Sequence, residues 1–319
     1  MDGFDGPARY EGIPGPRGAL SAEPDHLPAR LWWLLGALTL AWGFNWTAMK
    51  LALAEVPPWT FRSLCLGLGA AVLFAVLRLG GQRVGLPRGQ WLRLTMLAWL
   101  NISGWNMLVA FGLAMIPSGR ASILGYTMPL LAIPLSVWLL GERLTAAKAL
   151  GLVLGLAGLA LLVGEGYAAI GAAPLGTLLV LGAAASWALG AVLQKKYPIA
   201  MPPGPYTAWI MLIGGVPIFI GAALFEDVRV LRQLGAGAIF GTAYNVLIAF
   251  AFAHWAWIKL ATSVSVTVFS LSILIIPVVA VLSGIVFLGE RPSALEFAAL
   301  GLVLASLATV LTPARGAAK

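Results

Sequence analysis

The sequence carries a small set of hydrogen-bonding and aromatic side chains inside long apolar segments. Amide, hydroxyl and imidazole groups must find partners in a hydrocarbon environment, so we expect them to face a bundle interior or a wet cavity. Such a cavity, with a few polar groups among aromatic walls, is typical of a small-molecule site. The residues that we predict to bind a substrate are Asn45, Trp46, Asn101, Trp105, Tyr126, Trp187, Tyr244 and His254.

Amide groups beside aromatic rings suit an amino-acid ligand, because amides can bond its ammonium and carboxylate groups while rings contact its side chain. The same residues could instead join helices by interhelical hydrogen bonds, and the sequence leaves both interpretations open. His254 is the only titratable group well inside a predicted span, and it could bind substrate, take up a proton or be structural. Tyr244 lies about 80° from His254 around an ideal helix and could share its site, whereas Asn245 faces away.

Acidic side chains are missing from the middle of every predicted span. The twelve acidic residues fall in the N-terminal tail, in loops or near span ends. Buried carboxylates are the usual proton relays and cation sites of transporters. Their absence argues against exchange of cationic drugs for protons and favours an uncharged or zwitterionic substrate that moves down its gradient.

The sequence has no pattern typical of an enzyme or of a cofactor-binding protein. It contains no GxxxxGK[ST] phosphate-binding run, which argues against ATP-driven transport. It shows no metal-ligand cluster and no nucleophile–base set, so we expect no catalytic residue, no metal and no cofactor. An integral membrane enzyme or a structural subunit is a remote alternative.

Composition and hydropathy predict the elements that position these residues. Apolar residues make up 60% of the chain and charged residues 10%, against about 25% charged residues in a soluble domain. Since about 20 apolar residues span a bilayer core, we predict an all-α integral membrane protein. Residues 1–29 are predicted to be a disordered cytoplasmic tail, and residues 314–319 are predicted to be a cytoplasmic tail. The ten predicted transmembrane helices are 31–53, 58–78, 91–115, 118–141, 145–164, 174–195, 205–225, 235–259, 262–289 and 293–312.

The chain contains one sequence pattern twice. Residues 129–143 read PLLAIPLSVWLLGER, and residues 277–291 read PVVAVLSGIVFLGER, 148 positions later. Weaker matches extend the duplication to the first five and last five spans, so we predict repeats at 30–165 and 166–313. Because five is odd, the two repeats cross the membrane in opposite senses, which places a substrate site near the midplane between them.

The repeated segments also predict two local features. Pro129 and Pro277 occupy the same repeat position, and each is interpreted as a hinge for alternating access or as a static kink. Gly141 and Gly289 are predicted to end helices, with the glutamate and arginine that follow lying among headgroups.

Lys and Arg residues are distributed unevenly between the two sides of the predicted bundle. If the N-terminus is cytoplasmic, fourteen of the twenty basic residues fall on the cytoplasmic side. This excess predicts that both termini are cytoplasmic. The net charge of +8 is therefore interpreted as a topology signal rather than as a nucleic-acid surface. The basic residues that fall on the outer side are Lys50, Arg62, Arg120, Arg229, Arg232 and Arg291.

The ten spans, the inverted repeat and the paired Leu-Gly-Glu segments resemble the drug/metabolite transporter superfamily, in its EamA-type ten-helix branch. Within it, the Trp42–Trp46 run (WGFNW) and the Asn- and Trp-rich third span look most like the YddG-type bacterial exporters of aromatic and other neutral amino acids. The resemblance implies an inner-membrane location, export from the cytoplasm and alternating access. The essential membrane-embedded Glu of the small four-helix multidrug members has no match in span 1, which puts drug–proton exchange in doubt.

Together these observations predict a secondary transporter that exports aromatic and other neutral amino acids by facilitated diffusion. The alternative is an exporter of other metabolites or drugs on the same scaffold, with or without proton coupling. We expect a monomer whose partners are its small-molecule substrate and the lipid bilayer.

Overall fold

The computed structural model describes residues 28–86, 89–168, 173–261 and 266–311, with side chains in 28–86, 89–162, 174–260 and 274–309. The two predicted tails lie outside the described residues, apart from the last two positions of the first tail. Within those described ranges every regular element is a helix, and no β-strand occurs. The prediction of an all-helical protein is confirmed.

The described chain forms ten long helical segments joined by short connections, one of which contains a 3₁₀ turn (Val228–Arg232). Six of the segments are long and apolar enough to cross a membrane, and three others contain shorter apolar helices. Large apolar side chains are exposed around the bundle, as a lipid-facing surface requires. The segments are α1 (Ala29–Leu53), α2 (Pro58–Leu79), α3 (Trp91–Met115), α4 (Ser118–Leu140), α5 (Ala146–Ala168), α6 (Ala173–Lys196), α7 (Pro203–Phe225), α8 (Ala236–Leu260), α9 (Val266–Leu288) and α10 (Ala294–Leu311).

The duplicated Leu-Gly-Glu-Arg runs end α4 and α9 in the same way. Gly141 and Gly289 adopt left-handed conformations with φ of 67° and 66°, which glycine accepts without steric cost. The backbone N–H of Glu142 donates to Ser136 O, and that of Glu290 donates to Gly284 O, six residues back in each case. A left-handed glycine followed by this capping hydrogen bond ends each helix, so the predicted helix ends are confirmed.

Three segments depart from regular α-helix near the centre of the bundle. α3 contains a π-helical stretch at Trp99–Gly104, α8 contains one at Asn245–Phe252, and α4 turns at 126–127 between its two halves. A π-helical turn bonds i to i+5, so a residue's angular position around α8 differs from that in an ideal helix. The predicted 80° relation of Tyr244 to His254 is therefore wrong, because residues 245–252 lie between them.

The helices pack in pairs that recur when each helix number is shifted by five. α1 packs on α9 and α6 packs on α4, while α1 also packs on α8 and α6 on α3. α2 contacts the π-helical stretch of α8, and α7 contacts that of α3. α2 and α7 pack on each other, as do α5 and α10. The main hydrophobic core includes buried residues of all ten segments.

Glycine sets the close approach of α3 and α6. A Cβ on Gly112 would lie 2.9 Å from Gly176 O and 2.6 Å from Val180 Cγ2. We expect Gly112→Ala to lower the free energy of unfolding by about 1–3 kcal/mol, the usual cost of overpacking. Thermal unfolding in detergent, followed by tryptophan fluorescence, measures the effect.

The matched control for this substitution is Gly36→Ala in α1. No atom lies within 4 Å of a Cβ at Gly36, so this change should stabilise the helix by about 0.5–1 kcal/mol. Equal shifts of the two variants in the same direction would contradict the close-approach argument.

Candidate functional site

A cavity of about 150 Å³ lies in the middle of the bundle, between α1, α2, α3, α4, α6 and α8. It continues into a vestibule of about 530 Å³ that shares several of its walls and reaches the α6–α7 connection. The vestibule volume falls in the range of small-molecule sites, roughly 300–1,000 Å³. Because exposed residues such as Gln194, Pro198 and Pro203 line its outer part, the vestibule opens at this end. We call this end of the bundle the open end.

Aromatic rings form the walls of the central cavity. Trp46 and Tyr126 have ring centroids 6.4 Å apart, and Trp105 and Trp187 have centroids 5.4 Å apart in a T-shaped pair. Gly125 leaves room for them, since a Cβ there would lie 2.8 Å from Trp46 Cη2 and 3.4 Å from Trp105 Cη2. Such rings offer an apolar and polarisable surface to a ligand that enters from the vestibule.

His254 is held in place by the π-helical stretch of α8. Its Nδ1 lies 3.0 Å from Ala249 O, a carbonyl that also accepts a 3.3 Å hydrogen bond from Trp42 Nε1. The imidazole stacks on Phe250 and meets the Trp42 ring edge-on. A carbonyl can only accept, so Nδ1 carries the proton and Nε2 is the acceptor of this tautomer. The structural interpretation of His254 therefore has a definite basis, while its ring still lines the cavity.

The structure brings most of the predicted site residues together around this space. The central cavity is lined by Asn45, Trp46, Trp105, Tyr126, Trp187 and His254, and the vestibule by Asn101. Tyr244 lies elsewhere: it borders a lateral apolar groove between α1, α8 and α9. Its hydroxyl donates to Ala41 O at 2.9 Å, and its ring packs against Phe44. Its assignment to the same cavity is wrong, because the π-helical stretch changes the orientation of the helix that follows.

Sequence analysis missed Arg62 as a cavity residue. It treated Arg62 and Arg120 as topology charges on the outer side, but both are buried, at 2% and 7% exposure. Arg62 lies one turn into α2 and lines the central cavity. The available signal was its position within an apolar helix, one turn after the Pro57-Pro58 start. No group of three or more His, Cys, Asp or Glu side chains that could hold a metal ion occurs in the described ranges.

The opposite end of the bundle is closed by carboxylates that bind helix N-termini. Glu290 accepts from the N–H groups of Ser118 at 2.5 Å and Gly119 at 3.1 Å, at the start of α4. Glu226 accepts in the same way from the N–H groups at the start of α2, and Glu55 accepts from Gly235 N–H just before α8. Each carboxylate interacts favourably with the positive end of a helix dipole. We call this end the sealed end.

Further contacts at the sealed end involve α1. Lys50 Nζ donates to Leu113 O at 2.6 Å and to Ile116 O at 2.7 Å, at the C-terminus of α3. One turn of α1 closer to the cavity, the hydroxyl groups of Thr47 and Ser283 hydrogen-bond at 2.7 Å. A cation at the end of α3 and an anion at the start of α4 thus hold the connection between these helices.

Glu142, the counterpart of Glu290 in the repeated segment, has different partners at the open end. It forms ion pairs with Lys148 at 2.8 Å and with Lys195. Hydrogen bonds from Lys148 and then Lys195 lower the pKa of the Glu142 carboxyl to about 2. The carboxylate is therefore ionised at neutral pH, although its exposure limits what these ion pairs add to stability.

Comparisons with known proteins relate this chain to membrane transporters. One family model, the EamA-like transporter family, matches the chain twice, at residues 29–164 and 174–312. The chain is 28% identical over 256 residues to the "Uncharacterized transporter YoaV" of Bacillus subtilis, covering 80% of this chain and 87% of that protein. It is 25% identical over 282 residues to the "Probable amino-acid metabolite efflux pump" of Escherichia coli, covering 85% and 91%.

A solved structure described as "Crystal structure of protein" superposes with a TM-score of 0.62 and 22% identity, covering 88% of this chain and 97% of that one. This likeness shows the fold alone. The two family matches together span nearly all of the described chain. The chain therefore belongs to the EamA-like transporter family, and it is a multi-pass membrane transporter rather than an enzyme.

Proposed function

We propose that this transporter exports neutral amino acids, aromatic ones among them, by facilitated diffusion and alternating access. The observation that carries the proposal is the central cavity, which has aromatic walls, a few polar groups, one open end and one sealed end. The printed name of the E. coli relative, an amino-acid metabolite efflux pump, supports this substrate class. The likeness to YddG-type exporters is part of the same proposal.

Alternating access would follow from two inverted five-helix repeats, 30–165 and 166–313, with all ten helical segments crossing the membrane. Two separate matches to one family model support this division. The helix pairs that recur under a shift of five support it as well. So do Asn106 and Asn245, each of which donates its side-chain N–H to the carbonyl four residues earlier. In alternating access the two repeats would exchange their conformations, and the substrate site would lie at the interface between the repeats.

The orientation that we propose has both termini in the cytoplasm of a bacterial cell, with the protein in the inner membrane. The α2–α3 and α6–α7 connections lie at the open end, and basic residues lie in them or at the helix ends beside them, such as Arg83, Arg93 and Lys196. The excess of positive charge on this side supports a cytoplasmic position. The vestibule would then admit substrate from the cytoplasm, in the first half of an export cycle.

Pro129 and Pro277 are proposed as the hinges of this cycle. Pro129 follows directly after the turn at Tyr126 and Thr127, where α4 is interrupted. Pro277 lies inside α9, which is continuous across it. Pro277 removes a helix hydrogen bond, which lowers the cost of bending there, whereas Pro129 lies in the first turn of the second half of α4 and fixes the backbone where that half begins. The different shapes of the two helices support opposite hinge states in the two repeats.

Flux through proteoliposomes tests the proposed function. We expect saturable movement of labelled phenylalanine and tryptophan down their gradients, with an unchanged rate when a pH gradient is added. Failure of every amino acid tested would overturn the proposal and favour another metabolite or drug. A requirement for a pH gradient would overturn the facilitator mechanism, and loss of that requirement in His254→Gln would assign the proton to His254.

A further inference from the structure

Two of the arginines that the structure describes are buried, and their surroundings differ. Arg120 Nη1 lies 3.8 Å from Glu296 Oε1, and its Nη2 donates to Leu162 O. Arg120 thus has a carboxylate and a carbonyl that compensate its charge. In the described ranges, no carboxylate pairs with Arg62.

The guanidinium of Arg62 has weak partners for a charge that is removed from water. Its Nη2 lies 3.0 Å from Met49 Sδ, and thioether sulfur is a weak acceptor. Its Nε is buried without a hydrogen-bond partner among the described residues. The Phe61 ring lies 5.1 Å from the guanidinium carbon, a contact that compensates only part of the charge. A buried guanidinium that has only weak partners is energetically costly unless an anion binds to it.

The central cavity is where that anion can approach. Arg62 lines the cavity directly. Asn45 lines it too, one turn of α1 before Met49, the residue that Arg62 contacts. The Oδ1 atom of Asn45 is buried and has no partner within the described chain. One small cavity is therefore lined by a residue with an unpaired donor and by a residue with an unpaired acceptor.

The surrounding wall determines what can accompany the anion. Trp46, Trp105 and Trp187 border the same cavity, and among the described residues no Asp or Glu lines it. A guanidinium forms two parallel hydrogen bonds with a carboxylate, for which its geometry is well suited. An amide oxygen accepts from an ammonium group, and indole rings give an apolar and cation-attracting surface beside it.

We propose that Arg62 binds the carboxylate of the transported substrate, while Asn45 Oδ1 accepts a hydrogen bond from its ammonium group. This assignment rests on the proposed function, because it uses the same cavity. It adds that the substrate must carry a carboxylate. The substrates are then carboxylates with an apolar or aromatic side chain, and amines without a carboxylate are excluded.

A ligand series on the purified protein in detergent tests this assignment by isothermal titration calorimetry. The probes are L-phenylalanine, L-phenylalaninamide, which lacks the carboxylate, and 3-phenylpropionate, which lacks the ammonium group. We expect phenylalanine to bind at least about thirtyfold more tightly than its amide, since an unmatched buried donor strongly disfavours the amide. We expect 3-phenylpropionate to bind, more weakly than phenylalanine.

Substitutions then assign this preference to the residue. Arg62→Gln should remove the preference for phenylalanine over the amide, and Arg62→Lys should restore part of it. Arg83→Gln, which changes an exposed arginine near the open end, should leave it unchanged. If Arg62→Gln does not fold, Asn45→Asp gives a second variant: a carboxylate one turn from Met49 would occupy Arg62, so 3-phenylpropionate binding should be lost.

The outcomes separate this inference from the proposed function. Equal affinity of the wild-type protein for phenylalanine and its amide would overturn the role of Arg62 and leave amino-acid transport standing. Arg62-dependent binding of 3-phenylpropionate without binding of any amino acid would support the role and overturn the amino-acid function. Absence of carboxylate binding to the wild-type protein would overturn both proposals. A preference for carboxylates that survives in Arg62→Gln would overturn the role of Arg62.

Discussion

A cysteine placed at Gln194 should react with a charged methanethiosulfonate reagent at least about a hundredfold faster than a cysteine placed at Thr47. Gln194 is exposed and lines the vestibule, whereas Thr47 is fully buried between the cavity and Lys50. Reaction at Thr47 requires the packing at the sealed end to open. A seal that contains several charge-assisted hydrogen bonds, each contributing about 1.5–3 kcal/mol, makes that opening rare, and each 1.4 kcal/mol is about tenfold in rate.

The native cysteine does not interfere with this experiment. Cys65 is free, with no exposed surface, so the otherwise unchanged protein should give almost no labelling. Detergent-solubilised protein exposes both ends to the reagent, and the comparison then reports the conformation and not the orientation. Similar rates at the two positions would show that the sealed end is open in solution.

The fold followed from the sequence because apolar length and repetition are strong signals. The duplicated Leu-Gly-Glu-Arg segments located two helix ends correctly, since a glycine after a long apolar run has few structural alternatives. Asn45, Trp46 and Tyr126 were placed in one cavity from the rule that polar groups inside a membrane must face the interior. These inferences needed no detailed knowledge of helix packing.

The location of Tyr244 and the inward orientation of Arg62 could not be predicted from the sequence. The π-helical stretch of α8 has no distinct sequence pattern, and it moves Tyr244 to the lateral groove while His254 lines the cavity. Arg62 lies near a helix end, where a basic residue normally indicates topology. Only the packing of α2 shows that the Arg62 guanidinium points inward, and only the packing of α4 on α10 shows that Arg120 has a carboxylate beside it.

The repeated glutamates suggest how the two ends are held. In one repeat Glu290 binds the N-terminus of α4, and in the other Glu142 binds two lysines at the open end. Gly284 makes the first arrangement possible, because a Cβ there would meet Glu290 Oε2 and Ser118 Oγ. Glu142 and Glu290 share a sequence pattern, but in this one conformation Glu142 has its partners at the open end and Glu290 has its partners at the sealed end.

Because Glu290 has its partners at the sealed end, we expect its substitution to open that end more often. In a Thr47→Cys background, Glu290→Gln should raise the rate of cysteine modification about tenfold. The change removes the negative charge that faces the α4 N-terminus, at a cost of about 1–2 kcal/mol to the sealed state, and about 1.4 kcal/mol is tenfold in an equilibrium. The rate should rise because the sealed end opens more often.

Glu142→Gln is the matched control, since it makes the same change at the equivalent position of the other repeat. Its ion pairs lie at the open end, where they make no contact with the sealed end. We therefore expect the modification rate at Thr47→Cys to remain within about twofold of the parent, which corresponds to less than half of 1.4 kcal/mol. Equal increases in the two variants would mean that loss of charge loosens the whole bundle. An increase confined to Glu290→Gln means that the carboxylate at the start of α4 holds this end closed, and that its release is a step in opening.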